Sequence, residues 1–226
     1  MARLQRAALL TALVVLLALA YHYHLSQPHQ PATTTLGVVL GTERRGGNTI
    51  GIGTYLRTFT PALSRLGVAV DVVDLTSLNL PRTFVHVPSK PRAPSVWSYL
   101  PSSDKAWASR VRGWDAVLFI APEYNGHVPG LLKSALDRLY HEWRGMPAGL
   151  VAHGHEGGRK VLETGMALLR ELGMDVVGGV AVSTGGRPVE GSEAWLEIEV
   201  GAQMEELLLA LVTSAGAAAE QRIRAG

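Results

Sequence analysis

The sequence predicts a single α/β domain built on a parallel sheet with helices on both faces. Two observations point there. From Thr35 onward, short β-branched runs bounded by glycines or turns alternate with segments of helical periodicity, the pattern of a parallel sheet covered on both sides. At 226 residues, 47% of them apolar and 18% charged, the chain suffices for one sizeable core.

The first 25 residues stand apart from that core. No Asp or Glu occurs before Glu43, Arg3 and Arg6 precede an apolar run from Ala7 to Ala20, and Thr11 is its one polar interruption. As a helix this run spans about 21 Å, short of the ~30 Å of a hydrocarbon core unless Tyr21 to Leu25 extend it. The basic start, the apolar run and Ala18-Leu19-Ala20 fit a secretory signal peptide, while Tyr21 and Tyr23 equally suit the interfacial belt of an uncleaved anchor. Membrane association through residues 1–25 is therefore expected. Cleavage would place the domain in a secretory lumen, and a start site set too far upstream would leave it cytosolic. Residues 26–34 read as a polar linker.

Within the domain, expected at 35–213, strands are read at Leu36 to Leu40, Val68 to Val73, Asp115 to Ala121, Gly149 to Ala152 and Val176 to Val182. Ile52, Leu56, Phe59, Leu63 and Leu66 recur at helical spacing after the first strand, but Pro61 and the neighbouring glycines predict a kink or break. Residues 75–101 hold Pro81, Pro88, Pro91, Pro94 and Pro101 and read as a long loop. A helix after the third strand starts at Pro129, carries the stripe Leu132, Leu136 and Leu139, and pairs Lys133 with Asp137. Further helices fit Arg159 to Leu172, stopped by Gly173, and Glu193 to about Leu211, capped by Ser192. Residues 214–226 read as a flexible tail.

Composition removes several function classes. A formal charge of +2 with scattered basic residues gives no electrostatic footprint for nucleic acid. The absence of cysteine excludes disulfides, thiolate nucleophiles and Cys-based metal sites.

Ligands of open parallel sheets bind beyond the carboxyl ends of the strands, and three segments fall at that edge. Gly41-Thr42-Glu43-Arg44-Arg45-Gly46-Gly47-Asn48-Thr49 follows the first strand and opens a helix, so its backbone N–H groups, hydroxyls and arginine suit a phosphate. Gly47 stands where a P-loop would have lysine, and no G-x-G-x-x-G is present, which favours a single phosphate over a triphosphate or dinucleotide. The second segment, Ala121-Pro122-Glu123-Tyr124-Asn125-Gly126-His127-Val128-Pro129-Gly130, offers backbone groups and the face of Tyr124 to a planar heterocycle. The third, His153-Gly154-His155-Glu156-Gly157-Gly158-Arg159, allows close backbone approach.

Pro122-Glu123-Tyr124-Asn125-Gly126, followed by Val128-Pro129-Gly130-x-Leu132-Lys133-x-Ala135-Leu136-Asp137, resembles the NADPH-dependent FMN reductase family, with similarity from about Leu36 to Leu211. The resemblance implies a flavodoxin-like three-layer fold with a five-stranded parallel sheet in the order 2-1-3-4-5. It implies FMN as cofactor and NADPH or NADH as hydride donor. It places Thr42, Arg44, Asn48 and Thr49 around the flavin phosphate, Pro122, Glu123, Tyr124, Asn125 and Gly126 against the isoalloxazine, and His153, Gly157 and Gly158 on the far side. Met146, where the family usually has lysine, and His153, where a small residue is usual, depart from the pattern at positions expected to bear on acceptor preference. A homodimer or homotetramer is implied as well.

Because the flavin itself carries out hydride transfer, no catalytic side chain and no metal ligand is expected. The implied function is reduction of a small-molecule acceptor such as free flavin, a quinone, an azo compound or a metal ion. An FMN-binding electron carrier or redox sensor is the nearest alternative. A metal-dependent hydrolase using His127, His153, His155 and Glu156 is a more distant one.

Overall fold

The computed structural model describes residues 34–44, 47–78, 80, 102–186, 189 and 193–225. The apolar run, the linker expected at 26–34 up to residue 33, the proline-rich segment at 81–101 and the Ser192 cap lie outside the described residues, and Thr34, read as the linker's last residue, opens the first strand. Among the described residues no helix is long and apolar enough to cross a membrane.

Five strands, β1 (Thr34–Leu40), β2 (Val68–Asp74), β3 (Ala116–Pro122), β4 (Pro147–Gly154) and β5 (Asp175–Ser183), form one parallel sheet in the order β2-β1-β3-β4-β5. Each expected strand is present within two residues at either end. Both faces are covered, so successive side chains of a strand enter different cores. Val39, Val117 and Phe119 pack on one side with Trp107, Leu132 and Leu169. Leu36, Val38, Leu118 and Ile120 pack on the other with Ile52, Leu196 and Met204.

The expected break after β1 is present. Helix α1 (Asn48–Leu56) gives way to a 3₁₀ turn (Arg57–Phe59) and then α2 (Thr60–Arg65), with Pro61 in the first turn of α2, where its missing N–H costs nothing. Helix α3 (Ser102–Arg112) follows the segment read as a loop and was not expected as a helix. It is tied to the edge strand β2 through Asp71, whose carboxylate accepts from Arg110 Nε at 2.9 Å, Arg110 Nη2 at 2.6 Å and Trp114 Nε1 at 2.9 Å.

Helix α4 (Gly130–Asp137) begins one residue after Pro129, which serves as its N-cap. Helix α5 (Arg159–Glu171) ends as the sequence predicts. Gly173, at φ 81°, directs its N–H to Arg170 O at 2.8 Å, and Met174 N–H reaches Leu169 O at 3.1 Å, satisfying carbonyls that a helix end leaves open.

Helix α6 (Glu193–Ala225) corrects the expected end near Leu211 and the expected flexible tail at 214–226. Ala215, Ala217, Ala218 and Ala219 are the strongest of helix formers, and Ala215 is fully buried, so the helix continues across the supposed boundary. Met146 is placed far from the loops that the sequence singles out. It precedes β4 at the amino edge of the sheet and is buried beside Trp143, at the opposite end from the carboxyl-edge loops, so it lies away from the crevice.

Candidate functional site

The chain runs from β1 to β2 on one side and from β3 onward to the other, so the strand order reverses between β1 and β3. The crevice beyond their carboxyl ends is where the loop after β1, the loop after β3 and the loop after β4 meet. The three segments singled out in the sequence are brought together there.

Three buried polar side chains form the floor. Thr42, Thr49 and His153 are 2%, 2% and 5% exposed. Thr42 follows β1, and its hydroxyl accepts the Arg44 backbone N–H at 3.2 Å, folding the loop back on itself. The same hydroxyl lies 3.4 Å from the Tyr124 OH of the loop after β3. Arg44 places its guanidinium 5.2 Å from the centre of the Tyr124 ring, so these two loops touch through a cation–π contact as well. Thr49 occupies the first turn of α1, and its hydroxyl lies 2.7 Å from His153 Nε2.

The first turn of α1 carries no acidic residue, and no side chain caps it. Its leading N–H groups have no partner within the helix and face the crevice as donors. Glu43, the acid within this loop, turns its carboxylate to the Leu131 N–H at 3.1 Å, at the start of α4. That contact takes the negative charge to another helix N-terminus.

The loop after β3 closes as a tight turn in which Tyr124 and His127 exchange backbone bonds of 3.0 and 3.1 Å. Asn125 at φ 54° and Gly126 at φ 80° are both left-handed, a conformation that asparagine and glycine tolerate best. Glu123 N–H bonds His153 O at 2.8 Å, so this loop leaves the sheet beside β4. Gly154 lies against it: a Cβ at 154 would stand 3.2 Å from Glu123 Cβ.

Asn48 opens α1 and also has a partner within the protein. Its Oδ1 accepts the Val189 N–H at 2.9 Å, while its NH₂ is the group that could donate to a phosphate. This contact reveals a fourth loop, after β5, that the sequence reading did not single out. Thr184 N–H bonds Gly154 O at 2.9 Å and Gly185 N–H bonds His155 O at 3.2 Å, which fastens it to the loop after β4. The run Ser183-Thr184-Gly185-Gly186 directly after a strand was the available signal.

Among the described residues no group of three or more His, Asp or Glu is placed to hold a metal ion. His127 and His155 are exposed, whereas His153 is turned into Thr49. Burial pushes the His153 imidazole down to about 4 from its ordinary 6.5, so it is neutral at pH 7.

The unfolded chain takes up a proton on His153 below about pH 6.5 and the folded protein only below about 4. Between these values the unfolded state binds more protons, and stability falls as pH falls. The displacement corresponds to about 3 kcal/mol lost across that window. Urea midpoints measured from about pH 7 down to about pH 4.5 are expected to fall more steeply for the wild type than for His153→Gln. Parallel profiles would show that His153 is not the titrating group.

These residues fit the phosphate and ring of FMN. Two buried hydroxyls, an arginine and an uncapped helix N-terminus suit a phosphomonoester, and the glycine-rich loops leave backbone, without side chains, along the crevice wall.

The comparisons with known proteins agree with this geometry. The NAD(P)H-dependent FMN reductase of Saccharomyces cerevisiae is 34% identical over 153 residues, 65% of this chain and 79% of that protein. A quinone reductase of Pseudomonas putida is 32% identical over 126 residues, 52% of this chain and 59% of its own length. Among solved structures, RosB with bound 8-demethyl-8-formylriboflavin-5'-phosphate superimposes with a TM-score of 0.64 at 14% identity, covering 83% of this chain and 81% of that one, a likeness of fold. The model of the NADPH-dependent FMN reductase family matches residues 34–187, more than half the sequence, and spans β1 through the loop after β5. The chain belongs to the NADPH-dependent FMN reductase family.

Proposed function

We propose that the protein binds FMN in the crevice between the loops after β1, β3 and β4 and uses NAD(P)H to reduce small two-electron acceptors, quinones foremost. The observation that carries this reading is the pairing of a donor-rich phosphate pocket, at a helix whose first turn carries no acid, with a site whose one enclosed titratable side chain, among the described residues, is a neutral histidine. Such a site binds and orients but is poorly equipped for acid–base work. Bound FMN would supply the hydride chemistry.

In this reading Thr42, Thr49, Arg44 and the α1 N-terminus hold the phosphate. The Pro122–Gly126 turn supports one face of the ring, and Gly157 and Gly158 let the loop after β4 approach its edge. NAD(P)H and the acceptor use the open face in turn. Free flavin and azo compounds are further acceptors of this kind, and an oxidised metal ion such as ferric iron would take one electron, two ions for each reduced flavin. The likeness to the Pseudomonas putida quinone reductase favours quinones.

Anaerobic addition of NADPH, and separately NADH, to the FMN-loaded protein is expected to bleach the flavin absorption, with full recovery on adding a quinone. Steady-state double-reciprocal lines are expected to run parallel. Flavin that resists both nucleotides would leave an electron carrier in place of the reductase, and failure to take up flavin would remove the reading.

A further inference from the structure

Thr49 and His153 lie 104 positions apart in the chain and meet at the floor of the crevice. The contact depends on the sheet, because β3 pairs Pro122 with His153 and β1 delivers the start of α1 to the same edge. His153 is neutral, and its Nε2 is 2.7 Å from the Thr49 hydroxyl oxygen.

A threonine hydroxyl owns one proton. If that proton went to His153, the lone pairs of Thr49 would face the crevice and repel an anion. If Nε2 carries the proton and donates it to Thr49 Oγ1, the hydroxyl proton is left for the ligand. A phosphate in the crevice selects the second arrangement.

We propose that His153 is a positioning residue for the phosphate: its Nε2–H donates to Thr49 and so aims the only proton of that hydroxyl at a phosphate oxygen. This rests on the FMN reading above and refines it. The pair recognises the phosphomonoester, and the isoalloxazine ring plays no part in what it does. His153 itself need not touch the cofactor, in contrast to the contact implied by sequence resemblance.

The test compares binding of FMN and riboflavin, by flavin fluorescence, to the purified protein and its variants. Thr49→Val and His153→Leu are each expected to weaken FMN by about tenfold while riboflavin changes by less than about twofold. The double variant is expected to be no worse than Thr49→Val alone, since the histidine acts through that hydroxyl. His153→Gln, which keeps an N–H donor near the Nε2 position, is expected to recover most of the loss.

Equal weakening of FMN and riboflavin by His153→Leu would overturn the proposal, as would losses that add in the double variant. If leucine prevents folding, Gln against the shorter Asn makes the same comparison, and equal FMN affinity for those two would overturn it. Wild-type protein that binds riboflavin as tightly as FMN would instead remove the phosphate site, and the FMN reading with it.

Discussion

Gly158→Ala is expected to destroy flavin uptake and to lower folding stability by about 3 kcal/mol or more. Gly158 is the N-cap of α5 and has φ 61° and ψ 19°, a left-handed conformation that costs alanine about 1 kcal/mol. The larger part is collision. A Cβ there would stand 2.8 Å from His153 N and 2.9 Å from Ala152 C, both backbone atoms of β4. Side chains can turn away from an added methyl, but β4 is hydrogen-bonded to β3 on one side and β5 on the other. The strain must therefore push the start of α5 outward, opening the loop that packs on His153. Gly145 offers the control, since at φ 67° it is also left-handed but an added Cβ meets nothing within 4 Å. Urea denaturation of the two variants separates conformational cost from collision, and flavin absorption after incubation with FMN reads the site. Equal losses for both, with flavin uptake intact, would show that the β4 backbone yields more easily than its two ladders suggest.

That collision could not have been read from the sequence, although the glycines could. Sequence patterns report what a residue needs locally, and they did so well for the sheet. Each strand is a short, largely apolar run, the central β1, β3 and β4 because they are buried on both faces, and Pro61 marked the interruption between α1 and α2. Helix α3 escaped notice for a physical reason. It follows a proline-rich stretch, and much of its surface is polar, with its apolar face reduced to Trp107, Ala108 and Val111. The acid in its first turn and the arginines in its last were the legible signs of a helix in accord with its dipole. In the site, the three loops were legible because glycines and hydroxyls after a strand have a limited set of uses. The partnership of Thr49 with His153 and the contact of Asn48 with Val189 were not, because each joins residues more than 100 positions apart. Only strand register decides such meetings. Met146 shows the same limit: a departure from a family pattern says nothing of position, and the topology places this one at the far edge of the sheet.

Asp104→Ala is the second substitution from which a large effect is expected, about 3–5 kcal/mol of stability, and it lies away from the proposed flavin contacts. Asp104 sits in the first turn of α3 and accepts from Arg138 Nη1 at 2.8 and 3.1 Å, through both carboxylate oxygens. Arg138 directly follows α4, so the pair ties the beginning of one helix to the end of another. Both side chains are almost wholly enclosed, at 3% and 5% exposure, so water cannot take over the role of a missing partner. Removing the carboxylate takes two charge-assisted hydrogen bonds from a guanidinium held in a poorly solvating interior, and the cost of burying that charge with less compensation, more than the lost attraction, sets the size of the effect. The consequence is an asymmetry. Asp104→Leu combined with Arg138→Met removes both charges and is expected to recover most of the stability lost in either single variant, because desolvation is no longer incurred for either group. A double-mutant cycle by urea denaturation measures this directly. Single variants that cost less than about 1 kcal/mol would mean that water reaches the pair and that it behaves as a surface contact. Because Arg138 comes at the end of the helix that the Pro122–Gly130 loop enters, loosening this junction is also expected to weaken FMN binding modestly, well below the loss caused by Gly158→Ala, since Glu43 still holds the start of that helix.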